Sequence, residues 1–489
     1  MKSMEAVRNV VRHPTISLVE TCKRLTEIKQ VHTQLIVAGL LNDPFLVGQF
    51  LASLVIKRPN DLDYATLVLD QCHNPTAFAF NTMIRAHSKT SNPLKSFIFY
   101  KRILHSNNKL IPDNYTFNFL VRACAQLFEE AGSAVHAVVV RRGFQMDPHL
   151  QSGLVYMYAE VGFLDSSLKV FAEIPKPDLV TQTAMLVACA RSGRLDFAQE
   201  VFDKMPVRDT ISWTAMISGY AQGGLPMDAL RLFNSMQLQS VEVNEASMVS
   251  VLSACTQLGA IEQGRWAHAY IERHNLPMTV TLGTSLVDMY AKCGDIEMAM
   301  SIFWRLMEKN VYTWSSAMGG LAMNGLGNEC LELFSLMKRE GVKPNEVTFI
   351  SILKGCSVAG LVDEGCRQFD SMIKDYGFVP MLEHYGCMVD LYGRAGLLMK
   401  ALDFINKMPI QPHAGAWGAL LNACKIHGDM ELGEIAARKI VELEAKNHGA
   451  YVVLSNIYAD SHEWDKVGTI RKSMMVKGVE KIPGFSVIS

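Results

Sequence analysis

Charge is scarce in this chain. Asp, Glu, Lys and Arg make up 19% of its 489 residues, below the roughly 25% of an ordinary soluble domain. The formal net charge is −1, so a nucleic-acid binder would have to gather its cations on one face. No apolar run approaches the ~18 residues of a membrane helix, and a membrane is not expected among the partners. The 11 cysteines never form Cys-x-x-Cys, which removes zinc-ribbon and thioredoxin-type readings. His-x-Glu is missing too: His462 is followed directly by Glu463, and no cysteine follows Cys424. A zinc deaminase needs both signatures to hold zinc and activate water. The expectation is no catalytic residue, no metal and no cofactor, in a chain that is not an enzyme.

What the chain has is repetition. Residues 179–209 read LVTQTAMLVACARSGRLDFAQEVFDKMPVRD, and residues 210–244 read TISWTAMISGYAQGGLPMDALRLFNSMQLQSVEVN. Thr183-Ala184-Met185 returns as Thr214-Ala215-Met216, Phe202 as Phe233 and Met205 as Met236, each 31 positions on. A fixed period of this size marks a repeat solenoid. Within 179–209, Thr181 can cap a first helix carrying Ala184, Met185, Ala188 and Cys189 on one stripe, and Gly193 is placed to end it. Asp196, with Gln199 three residues on, reads as the cap of a second helix carrying Ala198, Val201, Phe202 and Met205, stopped by Pro206. One such hairpin cannot bury both apolar stripes; stacked on its like it can. The pattern predicts an all-α solenoid of helix-turn-helix units, winding right or left. Cys124, Cys189, Cys255, Cys356 and Cys424 recur in first helices as small core residues.

In chain order, residues 1–15 carry Arg8 and Arg12 and read as a targeting segment or a frayed start. Residues 16–76 hold two degenerate units. Ten units follow over 77–413: 77–113, where Asn92-Pro93 starts the second helix, then 114–147, 148–178, 179–209, 210–244, 245–279, 280–310, 311–345, 346–381 and 382–413. Residues 414–489 are a tail of two helix pairs in a different register, whose Trp417 and Trp464 are candidates for a docking surface but read rather as buried core tryptophans. His32, His136 and His268 recur one per long unit, too far apart for a shared metal, and read as structural histidines. Lys89, Arg191, Lys292 and Arg394 recur near first-helix ends. They read either as a row tracking phosphates or as cations favoured by the helix dipole.

The segments YAKCGDIEMAMSIF, ARSGRLDFAQEVFDKMPVRD and FSLMKREGVKPN resemble pentatricopeptide repeats. Alternation of short, standard and long units, the last with Gly132–His136 and Gly264–His268, resembles the PLS subclass of land plants, and the tail resembles its E1 and E2 motifs. The resemblance covers residues 16–489. It implies a right-handed α/α superhelix and sequence-specific binding of single-stranded organellar RNA, usually to direct C-to-U editing. A mitochondrion is the expected compartment, with the chloroplast as alternative. Since the family's deaminase domain is missing its signatures here, a DYW-type deaminase and editing accessory proteins would act in trans at the E1/E2 region, and Pro483-Gly484-Phe485-Ser486 resembles the start of the joining segment.

In this family the fifth and last residues of a unit read one base and the second packs on it. The resemblance assigns Asn81 with Asp113 to uracil, and Ser152 with Asp178 and Thr183 with Asp209 to guanine. It assigns Thr214 with Asn244, Thr284 with Asn310, and Ser315 with Asn345 to adenine. Phe78, His149, Val180, Ile211, Thr281 and Tyr312 would be the packing residues. Val249 with Thr279, Ile350 with Met381 and Gly386 with His413 match no pair, and Asn118 with Asp147 sits in a long unit. The implied site is 5′-U-N-G-G-A-N-A-A-N-N-3′. Alternatives are an organellar RNA binder for splicing, stability or translation, and a protein-binding helical scaffold, which the near-zero charge favours.

Overall fold

A computed structural model describes residues 14–106, 109–127, 129–444 and 447–476. The N-terminal Arg8/Arg12 segment and the Pro483–Ser489 segment lie outside these residues. Among the described residues every regular element is helical, and the helices come in pairs because each unit carries two amphipathic stripes separated by a turn residue. The chain divides into two compact units, one made of 1–223 and 231–242, the other of 224–230 and 243–489.

In the first unit, hairpins run Pro44–Lys57 with Leu62–Asp70, Ala77–His87 with Lys95–Leu104, Asn114–Cys124 with Glu129–Arg141, Pro148–Glu160 with Leu164–Ala172, and Leu179–Arg191 with Leu195–Lys204, followed by Thr210–Gln222. In the second unit they begin with Glu245–Leu258 and Ile261–Arg273 and end with His448–Asp460 and Trp464–Val476. Inside each unit a first helix packs on its own second helix and on the first helix of the next hairpin. First helices are therefore covered on two sides and form the core. Met185, Cys189, Met248, Cys255, Met318 and Cys356 in them are fully buried. Burial pushes the thiols up, Cys189 to about 11 and Cys255 to about 12, so the first-helix cysteines behave as the small core residues expected of them.

Gly193 ends its helix at φ 71°. There the Arg194 N–H reaches back to Cys189 O at 2.9 Å, the closing bond of a left-handed turn. Two capping expectations change. The side chain that caps Leu179–Arg191 is Asp178, not Thr181. The helix Leu195–Lys204 starts after Arg194 with no side-chain cap; Asp196 stands in its first turn, and Gln199 donates instead to Asp203. Asn92-Pro93 does not open a helix either: the helix begins at Lys95, with the Ser96 N–H bonded to Pro93 O at 3.0 Å.

In two long units a second-helix glycine packs closely on the next hairpin. A Cβ on Gly132 would stand 2.8 Å from Met157 Sδ, and one on Gly264 would overlap the Met289 thioether. Four residues on, His136 Nδ1 meets Tyr158 OH at 3.0 Å and His268 Nδ1 meets Tyr290 OH at 3.1 Å. His32 pairs likewise with Tyr64 OH at 2.7 Å. These histidines tie one hairpin to the next. Trp417 is buried as expected, but Trp464 is 64% exposed; it opens the last described helix, whose outer face no described helix covers.

Candidate nucleic-acid interface

Each first helix opens on the last residue of the hairpin before it. Oδ1 of Asp113, Asp178, Asp209, Asn244, Asn310 and Asn345 accepts the backbone N–H three residues on, at 2.8, 2.8, 2.9, 2.8, 3.0 and 2.9 Å. These are N-caps, and the motif is visible as Asp/Asn-x-x-Ser/Thr in DNYT, DLVT, DTIS, NEAS, NVYT and NEVT.

The hydroxyl residue that ends this motif, read from the sequence only at Thr181 and there as a cap, joins the site together. Thr116, Thr181, Ser212, Ser247, Thr313 and Thr348, each third in its unit, are buried. The hydroxyls of Thr116, Thr181, Ser212, Thr313 and Thr348 contact the fifth residue of the preceding first helix. Thr116 Oγ1 donates to Asn81 Oδ1 at 2.7 Å, and Thr284 pairs with Thr313 at 2.7 Å, Ser315 with Thr348 at 2.8 Å and Thr183 with Ser212 at 3.3 Å. Ser152 meets Thr181 in the same way. Asn81 Nδ2 also donates directly to Asp113 Oδ1 at 2.9 Å. The structure thus brings fifth and last residues together through a shared hydroxyl. Thr214 lies in the first compact unit and Asn244 in the second, and each is positioned by its own helix.

The fifth residues do not stand free at the surface. Thr183 is 9%, Ser315 4% and Asn81 5% exposed, all turned toward the next hairpin. The cap residues are more open: Asp178 and Asn310 are exposed, and Asp113, Asp209, Asn244 and Asn345 are half-buried. Among the described residues, Oδ2 of Asp113, Asp178 and Asp209 and Nδ2 of Asn310 and Asn345 take no hydrogen bond, since every contact of these caps uses Oδ1. An Asp cap therefore offers an acceptor where an Asn cap offers a donor.

The second residues lie beside these caps. Val180, Ile211 and Tyr312 are 66, 59 and 62% exposed, and His149 and Thr281 are exposed as well. Phe78 is half-buried, its ring over Gly48, whose missing side chain makes the room. Units outside the pairing scheme differ in structure too. Both oxygens of Asp147 are taken, Oδ1 by the helix cap and Oδ2 by Asn114 Nδ2 at 2.9 Å. Thr279 donates to Glu245 at 2.6 Å, and at the Met381 junction His384 replaces the hydroxyl, accepting from Met381 N and bonding Glu346 O.

The four recurrent cations are not equivalent. Arg191 pairs with Glu160 at 3.0 Å, Lys292 with Asp288 at 2.9 Å and Arg394 with Asp390 at 2.9 Å. Lys89 is exposed and sits in a cationic neighbourhood; partial burial, Arg85 and Arg122 lower its pKa. Surface ion pairs are worth little, so a phosphate can exchange for these carboxylates. Among the described residues no group of His, Cys, Asp and Glu could hold a metal, and no helix is long and apolar enough to cross a membrane.

Stacked helical hairpins with a row of capped polar pairs define a modular binding scaffold. The comparisons say of which kind. Models of the PPR repeat match residues 78–108, 180–209, 284–311, 347–376 and 383–410, a PPR repeat family model matches 208–257 and 309–358, and the E motif matches 427–489. A putative pentatricopeptide repeat-containing protein of Arabidopsis thaliana is 60% identical over 98% of this chain and 78% of its own length. Another from the same plant, named chloroplastic/mitochondrial, is 36% identical over 96% of this chain and 71% of its own length. The chain belongs to the pentatricopeptide repeat family, and its E motif accords with the PLS subclass. Among solved structures, the pentatricopeptide repeat protein PPR10 from maize has the same fold, with a TM-score of 0.54 at 15% identity over 96% of this chain and 74% of that one. PPR10 is also solved in complex with an 18-nt psaJ RNA element, where the TM-score is 0.35 at 14% identity over 98% and 91% of the two chains.

Proposed function

We propose that this protein binds one single-stranded RNA sequence in a plant organelle and marks a cytidine there for C-to-U editing by a deaminase acting in trans. The observation that carries the RNA reading is the unused atom of each cap. One carboxylate or amide atom closes the helix, and the second is left unbonded among the described residues, an acceptor in Asp113, Asp178 and Asp209 and a donor in Asn310 and Asn345. Guanine offers N1–H and N2–H donors to an acceptor, and adenine offers the N1 acceptor to a donor. The buried fifth residue buttresses the cap through the third-position hydroxyl. The exposed second residues Val180, Ile211 and Tyr312 supply apolar faces for stacking, worth roughly 1–3 kcal/mol per base. Ser152 with Asp178 would act as a further guanine pair. PPR10, bound to RNA, supports the partner class.

The E-motif match at 427–489 supports editing over splicing, stability or translation. Trp464 gives that region an exposed aromatic for a protein partner. The mitochondrion is the proposed compartment, and the relative named chloroplastic/mitochondrial supports an organelle. Binding of 5′-U-N-G-G-A-N-A-A-N-N-3′ no tighter than a scrambled RNA would reject the recognition reading. Sequencing organelle transcripts from plants lacking the protein tests the editing reading: one cytidine left unedited downstream of a matching sequence is expected, and fully edited transcripts would refute it.

A further inference from the structure

At the junction between residues 382–413 and the tail, every position of the polar network is replaced. The fifth residue is Gly386, the cap is His413, the second residue is Gly415 and the third is Ala416. His413 starts the helix Ala414–His427 from an extended conformation, φ −88° and ψ 168°, without a side-chain cap bond. Its imidazole occupies the space that a side chain on Gly415 would need and lies within contact distance of Gly386. A Cβ on Gly415 would stand 2.5 Å from Nε2, and one on Gly386 would stand 3.9 Å from Cε1. His413 Nδ1 is buried and takes no hydrogen bond. The contrast with His384 is direct, because both nitrogens of that ring are bonded. No hydrogen bond pins the His413 ring through Nδ1, and this half-buried imidazole is the cap-position side chain where most other junctions carry a carboxylate or amide.

We propose that His413, flanked by Gly386 and Gly415, forms a stacking subsite for one nucleobase of the bound strand, at its 3′ end. It rests on the RNA-binding reading and goes beyond it, since this junction has no base-reading pair. Aromatic faces hold bases of any identity through their π surfaces, so the subsite contributes affinity rather than sequence choice.

The test uses the full chain and fluorescence anisotropy. The RNA U-N-G-G-A-N-A-A-N-N carries uridine at its internal undefined positions and adenosine at the last, and an abasic ribose is placed either at the last position or opposite Asp209. The abasic last position is expected to weaken binding about tenfold, within the range of base–aromatic stacking. His413→Ala is expected to weaken binding of intact RNA equally and to show no further loss with the abasic RNA, whereas His413→Phe restores it. Should His413→Ala fail to fold, the wild-type abasic comparison decides alone. An abasic last position without effect, beside a loss opposite Asp209, overturns this subsite and leaves the RNA reading standing. No effect at either position overturns both.

Discussion

Replacing Asp209 by asparagine separates helix capping from base reading. Oδ1 of Asp209 accepts from Ser212 N at 2.9 Å and from Ser212 Oγ at 2.6 Å, while Oδ2 has no partner among the described residues. Asparagine caps a helix about as well as aspartate, so the substituted amide keeps both bonds on its Oδ1 and stability changes by less than about 0.5 kcal/mol. The unused atom turns from acceptor to donor. Against guanine two donors then face each other; against adenine the new donor meets N1. Leaving a buried polar edge unpaired costs about 1–3 kcal/mol, or roughly 5- to 150-fold in Kd. The assay is anisotropy with two RNAs differing only in G or A opposite residues 179–209. The wild type is expected to prefer G and Asp209→Asn to prefer A, at matched melting temperatures. An unchanged G/A ratio with a folded variant would show that Oδ2 does not face the base, and the cap-reader argument would fall.

Four further outcomes are expected. Thr313→Val removes the hydroxyl linking Asn310 to Thr284 and should lower stability by about 1–2 kcal/mol in chemical denaturation, with weaker RNA binding. Gly320→Ala should destabilise despite the ~1 kcal/mol that alanine gains over glycine in a helix, because its Cβ would stand 2.5 Å from the rigid Ala291 Cβ; a raised melting temperature would contradict this packing. Burial lowers the pKa of His32, His87, His136, His268 and His384. The unfolded chain then binds more protons, so stability is fully present above the ordinary histidine pKa of ~6.5 and falls as pH drops below it; thermal melts at pH ~7.5 and ~5.5, on either side of that value, should differ accordingly. Lys89→Ala should reduce the slope of log Kd against log salt by about 1, whereas Lys292→Ala, already paired with Asp288, should change it less.

Much of this architecture can be read along the chain, because helices repeat their chemistry locally. The buried stripe of Met185 and Cys189 follows from 3.6-residue periodicity, and the turn at Gly193 follows from the one residue type that adopts φ 71° without strain. Equal spacing of Phe202 and Phe233 makes stacking the natural way to bury both. Other features depend on side chains that meet only after hairpins stack. Thr181 and Asp178 can each cap a helix, and the backbone arriving from the preceding hairpin, with Asp178 at ψ 170°, selects the aspartate. Trp464 is as apolar as Trp417, but burial belongs to neighbours rather than to residue type, and no described helix covers it. The third-position hydroxyls look like ordinary first-turn residues until the next helix brings each within reach of a fifth residue 29 to 35 positions back. Periodicity specifies which faces are apolar; which polar atoms remain free for a ligand is set by how adjoining hairpins use up the rest.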